Sequence, residues 1–247
     1  MPKIFVTDLE KGIIHLKIDD PKQENRLSKD LCDELLNELT NISKSTTIKV
    51  LIISGRKNVF CAGATLDMLK EMASDKAEVK DLLLPSKILS FPVPIIGALQ
   101  GHAVGGGLIL ALYCDILVAA ESSRYGVNFT NMGFTPGMGT ISLLPALVGH
   151  HFASEMIFTA KLYKGRELKY KGLFNYIVPD EQVMDVAIDI ARQIAEKPMY
   201  VVRMIKDTLS LSRRQAFQEA VSREDLMHNI CFAQPNIISA IENNYFV

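Results

Sequence analysis

The sequence predicts an α/β fold in which strand-strand-helix units repeat, followed by a C-terminal helical region. Three observations carry that reading. Short apolar runs with strand character at residues 50–54, 94–99 and 116–120 alternate with helical segments at 66–72 and 106–113. From Gln182 onward the apolar period lengthens, with Val183, Val186, Ala187, Ile190 and Ile194 at helix spacing, and Pro198 opens another helix. With 247 residues, 48% of them hydrophobic, the chain can bury one sizeable core and carry an appended helical region.

In chain order, strands are expected at residues 3–7 and 12–18. In the second, Ile14, Leu16 and Ile18 alternate with His15 and Lys17, the period of a strand with one buried face. Ser28 is a suitable N-cap for a helix whose apolar face is Leu31, Leu35, Leu39 and Ile42. Val50-Leu51-Ile52-Ile53-Ser54 reads as a strand and leads to Phe60-Cys61-Ala62-Gly63-Ala64, which could present a backbone N–H. Pro94-Ile95-Ile96-Gly97-Ala98 leads to Gly101-His102-Ala103-Val104-Gly105-Gly106-Gly107 and then to Leu108-Ile109-Leu110-Ala111-Leu112. Glycines opening an apolar helix leave its first N–H groups unhindered, which suits a developing anion. The expected division is a core over residues 1–195 and a helical region over 196–247. Residues 210–242 carry more apolar side chains than the periphery of a monomer needs.

Composition narrows the partners. A net charge of −1 gives no reason to expect nucleic acid or an anionic membrane. Met1-Pro2-Lys3-Ile4-Phe5 lacks the basic and apolar regions of a signal peptide, and no apolar run approaches a membrane span, so a cytoplasmic location is expected. Cys32, Cys61, Cys114 and Cys231 are scattered without a C-x-x-C pair, which points to free thiols rather than a disulfide framework or a zinc site.

Asn25-Arg26-Leu27-Ser28, Phe60-Cys61-Ala62-Gly63-Ala64, the run from Pro94 to Gly107, Cys114-Asp115-Ile116 and Gly133-Phe134-Thr135-Pro136-Gly137-Met138-Gly139 occur in this order. Together they resemble the crotonase family, the enoyl-CoA hydratase/isomerase superfamily, over nearly the whole chain. The resemblance implies a spiral core of strand-strand-helix repeats, a C-terminal helical trimerisation region, and a homotrimer or a hexamer of paired trimers. It also implies an oxyanion hole made by the backbone N–H groups of Ala64 and Gly106.

Where hydratases of the family hold their two catalytic glutamates, this chain has Ile109 and Phe129, which are expected to line the pocket. Neither can activate water or deliver a proton. The stretch from Asn128 to Gly139 instead resembles the decarboxylase branch of polyketide β-branching cassettes. Those enzymes act on 3-methylglutaconyl groups held on an acyl carrier protein. That resemblance implies decarboxylation to a 3-methylcrotonyl-type thioester through a dienolate. Lys80 would be the catalytic lysine, with Lys87 as second choice, and His228 the catalytic histidine. No metal or redox cofactor is implied, because the pantetheine arm belongs to the substrate. An enoyl-CoA hydratase or isomerase with a relocated acid, and a non-catalytic acyl-thioester binding protein, are the other readings.

Each residue has a plainer interpretation as well. Lysines in a polar loop are usually solvated, and a histidine on a helix can simply bond to a carbonyl. Ile109 and Phe129 can be core residues of a chain without activity. Arg26 can reach a phosphopantetheine phosphate or lie on the surface. Asp115 reads as a turn or capping residue and His102 as structural. His150 and His151 read as the end of a helix, where the dipole favours positive charge.

Overall fold

The computed structural model describes residues 3–74 and 83–245. Among them, β1 (Ile4–Glu10), β2 (Ile13–Ile18), β3 (Val50–Ser54), β5 (Ile95–Leu99), β7 (Ile116–Ala120) and β10 (Tyr176–Val178) form one sheet in the order β1-β2-β3-β5-β7-β10. β1 and β2 are antiparallel and the remaining pairs are parallel. A second sheet has the order β4-β6-β8-β9, from β4 (Val59–Cys61), β6 (His102–Val104), β8 (Arg124–Gly126) and β9 (Tyr163–Lys164). Each turn of the spiral therefore sends one strand to each sheet before a helix, which is the strand-strand-helix repeat.

The central strands are apolar throughout because both faces of the first sheet are covered. Leu16, Ile18, Leu51, Ile53, Ile95, Leu99 and Leu117 face the main core. The alternate residues Ile13, Val50, Ile52, Ile96, Ala98 and Val118 meet Val183, Ala187, Ala191 and Ala195 of α7 (Val183–Ala195). The main core also takes α1 (Lys29–Ser43), which buries Leu31, Cys32, Leu35, Leu39 and Ile42. Ser28 Oγ caps that helix by accepting from Leu31 N–H at 3.2 Å.

α2 (Leu66–Ala73), α3 (Leu83–Leu89) and α4 (Gly106–Leu112) follow, with every residue of α4 buried. α5 (Thr140–Val148) and α6 (His150–Thr159) meet at Gly149, whose φ of +77° suits a glycine turn. His150 and His151 therefore open α6 instead of closing a helix, and the dipole argument for them has the wrong sign. The chain ends in α8 (Met199–Phe232), which runs for 34 residues, and α9 (Ile237–Asn244).

Asp115 and His102 are structural. Asp115 accepts from Ile95 N–H and pairs with Lys206 of α8, and His102 Nδ1 accepts from Arg124 N–H at 2.9 Å. None of the four cysteines forms a disulfide among the described residues, and burial pushes the Cys61 thiol pKa up to about 12.

Candidate active site

Two backbone segments meet at the floor of a cavity. Leu27 N–H donates to Gly63 O at 2.7 Å, and Thr65 N–H donates to Leu27 O at 3.0 Å. In a planar trans peptide the N–H points opposite its carbonyl. Tying Gly63 C=O to Leu27 therefore turns the Ala64 N–H away, on the open side. The second segment obeys the same rule, because Gly105 O accepts from Ile109 N–H at 3.1 Å and the Gly106 N–H points out of the start of α4. Neither N–H has an acceptor among the described residues.

Glycine lets these segments touch. A Cβ on Gly107 would stand 2.3 Å from Cys61 O, and one on Gly63 would stand 3.2 Å from Val104 O and 4.0 Å from Gly106 N. Ala64 and Gly106, 42 positions apart, thus border one cavity with Leu27, Phe129, Met132, Phe134, Met138, His228 and Phe232.

His228 closes this cavity from α8. Its Nε2 lies 2.8 Å from Thr135 O. A carbonyl only accepts, so Nε2 carries the hydrogen and Nδ1 is left to take or give a proton. Burial among Phe134, Phe232 and the 135–139 loop lowers the imidazole pKa, partly offset by the Thr135 carbonyl and Asp225. A Cβ on Gly137 would come within 2.9 Å of His228 Cε1, so the loop reaches the ring only because it has glycine there.

One turn earlier on α8, Glu224 accepts from Gly139 N–H at 2.7 Å and Ile141 N–H at 3.2 Å. Burial raises its pKa, while those backbone donors pull it down. Glu224 borders the cavity, yet its oxygens are committed to the start of α5. Tyr113 completes the loop's support by donating to Met138 O at 2.8 Å.

Phe129 stands at the cavity wall with its ring edge toward Phe134. Ile109 does not border the cavity; it is 0% exposed within the core around α4. The expectation that it lines the pocket is corrected on that ground, since a helix buried on all sides directs only part of its surface to any one cavity. Lys80 lies outside the described residues. Lys87 turns its Nζ toward Ser43 Oγ of α1 at 3.5 Å and does not border the cavity.

Arg26 is committed within the chain. It donates to Ala62 O at 2.9 Å, pairs with Glu24 at 3.1 Å and lies 4.7 Å from the centre of the Tyr245 ring. Tyr245 in turn donates its hydroxyl to Ala64 O at 2.9 Å. The end of the chain thus braces the peptide that follows the Ala64 donor, an arrangement with no local sequence signal. Replacing Tyr245 by Phe keeps the ring and removes the bond. Turnover should fall several-fold with KM nearly unchanged, and unfolding free energy should fall by about 0.5–1.5 kcal/mol, read by steady-state kinetics and urea titration. An unchanged kcat would remove Tyr245 from this role.

The family described as Enoyl-CoA hydratase/isomerase matches residues 8–243. The chain belongs to that family. Among its relatives is the bacillaene synthase decarboxylase PksI of Bacillus subtilis, 32% identical over 98% of this chain and 97% of that protein. The ECH2 decarboxylase domain of CurF from Lyngbya majuscula superposes with a TM-score of 0.92 at 33% identity, covering 98% of each chain. A structure from a dehydratase/decarboxylase enzyme couple involved in polyketide β-branching gives 0.95 at 31% identity over 99% of each chain. Hydratases of the family are also similar, including the 2,3-dehydroadipyl-CoA hydratase of Escherichia coli, at 28% identity over 89% of this chain and 87% of that protein.

Proposed function

We propose that this family member is a carboxy-lyase that decarboxylates a 3-methylglutaconyl-type thioester on an acyl carrier protein, giving a 3-methylcrotonyl-type thioester in polyketide β-branching. The observation that carries the reading is a cavity with two directed backbone donors and a half-buried histidine but, among the described residues, no free buried carboxylate. Phe129 stands at one position where hydratases hold glutamate, Ile109 is buried at the other, and Glu224 is bound to α5. The similarity to PksI and the CurF domain supports the same reaction class.

In this mechanism the bond between the distal carbon and its carboxylate breaks, and CO2 leaves. The electron pair moves through the conjugated system onto the thioester oxygen, where Ala64 and Gly106 N–H groups receive it, at about 3–4 kcal/mol per donor. The dienolate then collapses and takes a proton on carbon from His228. Lys80 orients the departing carboxylate as a cation. Apolar walls such as Phe129 and Phe134 favour neutral CO2 over the charged group.

No metal or redox group is required, because the pantetheine arm enters with the substrate. No described helix is long and apolar enough to cross a membrane, and we assign the protein to the cytoplasm. The exposed Met204, Leu209, Leu226 and Ile230 on α8 support assembly through that helix as a trimer or a pair of trimers.

Mass spectrometry of 3-methylglutaconyl-loaded carrier protein tests the proposal. The wild-type chain should remove the mass of CO2, and Lys80→Ala and His228→Ala should do so far more slowly. Hydration or isomerisation of crotonyl-CoA, with no loss of CO2 from the carrier-bound thioester, would overturn it in favour of the commoner chemistry of the family. Thioester binding without any turnover would identify a non-catalytic binding protein.

A further inference from the structure

The polar side chains bordering the cavity differ in what they already hold. Arg26, Glu224 and His228 are bonded within the chain, and Asp225 and Asn229 are exposed. Asn128 is 8% exposed, borders the same cavity, and has no hydrogen-bond partner among the described residues. Buried amides are nearly always satisfied, so an amide left open beside a cavity marks where a ligand completes the set.

Its position narrows the ligand atom. Asn128 Oδ1 lies 2.9 Å from the place a Cβ on Gly105 would occupy, so the amide lies against the Gly105–Gly106 peptide. Gly105 has φ +55° and ψ −131°, and any larger residue there would displace the amide. Neither atom of the amide is sealed from the cavity, and Nδ2 is the one that can donate to an oxygen held at the Gly106 N–H. We propose that Asn128 is a catalytic residue whose Nδ2 is a third hydrogen-bond donor to the carbonyl oxygen of the bound acyl thioester, joining the N–H groups of Ala64 and Gly106. This rests on the reading that the cavity binds an acyl thioester at those two donors. A donor aimed at an oxygen that gains charge during reaction contributes more to the transition state than to binding.

The test uses the full chain with crotonyl-CoA labelled with 13C at the thioester carbonyl, read by isotope-edited infrared difference spectroscopy. In the wild type the carbonyl stretch moves to lower frequency than in solution, and Asn128→Ala returns part of that shift. With 3-methylglutaconyl-loaded carrier protein, Asn128→Ala lowers kcat by roughly 10²-fold with KM little changed. Asn128→Asp, which places an anion near the enolate oxygen, lowers it further. Thermal unfolding of Asn128→Ala stays at or above the wild-type temperature, since the amide makes no hydrogen bond among the described residues.

A wild-type carbonyl with no shift, or a shift fully retained in Asn128→Ala, overturns the assignment. A full shift with weaker binding of only the carboxylated thioester also overturns it, by making Asn128 a contact to the carboxylate. A lowered unfolding temperature with an unchanged shift makes the residue structural. Failure of the wild type to release CO2 would sink the decarboxylase reading alone, because the infrared measurement on crotonyl-CoA still decides the role of Asn128.

Discussion

On the proposed decarboxylation, replacing His228 by alanine should slow release of CO2 from the carrier-bound thioester by roughly 10²–10⁴-fold, the span expected when a positioned acid is lost. Substrate affinity should change little, because the Ala64 and Gly106 donors stay in place. The histidine is fixed by its Nε2–H bond to Thr135 O, so only Nδ1 is available for the proton delivered to carbon. Delivery requires the imidazolium, and burial holds the free protein's pKa below the ordinary 6.5. Wild-type kcat/KM should therefore rise as pH is lowered toward that depressed value, and His228→Ala should lose this dependence. The folded state binds its proton less readily than the unfolded chain. His228 consequently contributes stability that is present above 6.5 and is lost as pH falls through the depressed pKa. Denaturant titrations of wild type and variant across that window check this sign. A variant turning over within a few-fold of wild type would leave the proton to come from another group, with Nδ1 unused.

What the sequence discloses about this site depends on whether the signal is local. The strand at residues 12–18, the Ser28-capped helix and α7 each bury a face whose period is written in a dozen residues, so each is legible. The glycines before α4 are legible too, because helix starts expose N–H groups whatever surrounds them. Their meeting with Ala64 depends on Gly107 lying against Cys61 O, a contact between distant segments that no periodicity encodes. The same limit explains Ile109. Its spacing from Gly106 places it on α4, but only packing decides which face of an all-apolar helix borders the cavity. It also explains Glu224, which caps α5 from 85 residues away, and Tyr245, whose ring and hydroxyl serve the Ala64 segment 181 residues earlier. At Gly149 the sequence signals a break but does not tell a helix end from a helix start, and the structure has both.

Lys206→Ala should produce a large loss of stability. Lys206 Nζ lies 2.7 Å and 2.8 Å from the two oxygens of Asp115, and its side chain is 3% exposed against 20% for the aspartate. Asp115 Oδ2 also accepts from Ile95 N–H at 2.8 Å, so this one carboxylate joins α8 to the start of β5 and to the turn between α4 and β7. Removing the lysine leaves a largely buried anion without its cation, at a cost of about 3–5 kcal/mol. For a chain of this size that lowers the unfolding temperature by on the order of 10 °C. Lys206→Met combined with Asp115→Asn should recover much of the loss. The asparagine oxygen can still accept from Ile95, and a neutral pair of similar volume avoids the desolvation that makes buried charges weak stabilisers. Lys206 and His228 share α8 but lie 22 positions apart, roughly 33 Å along the helix at ~1.5 Å per residue. Below its lowered transition Lys206→Ala should therefore keep wild-type kcat. If stability stayed within about 1 kcal/mol of wild type, the ion pair would be a minor contact and the apolar side of α8, Phe217 and Ala220 among it, would be what holds His228 over the cavity.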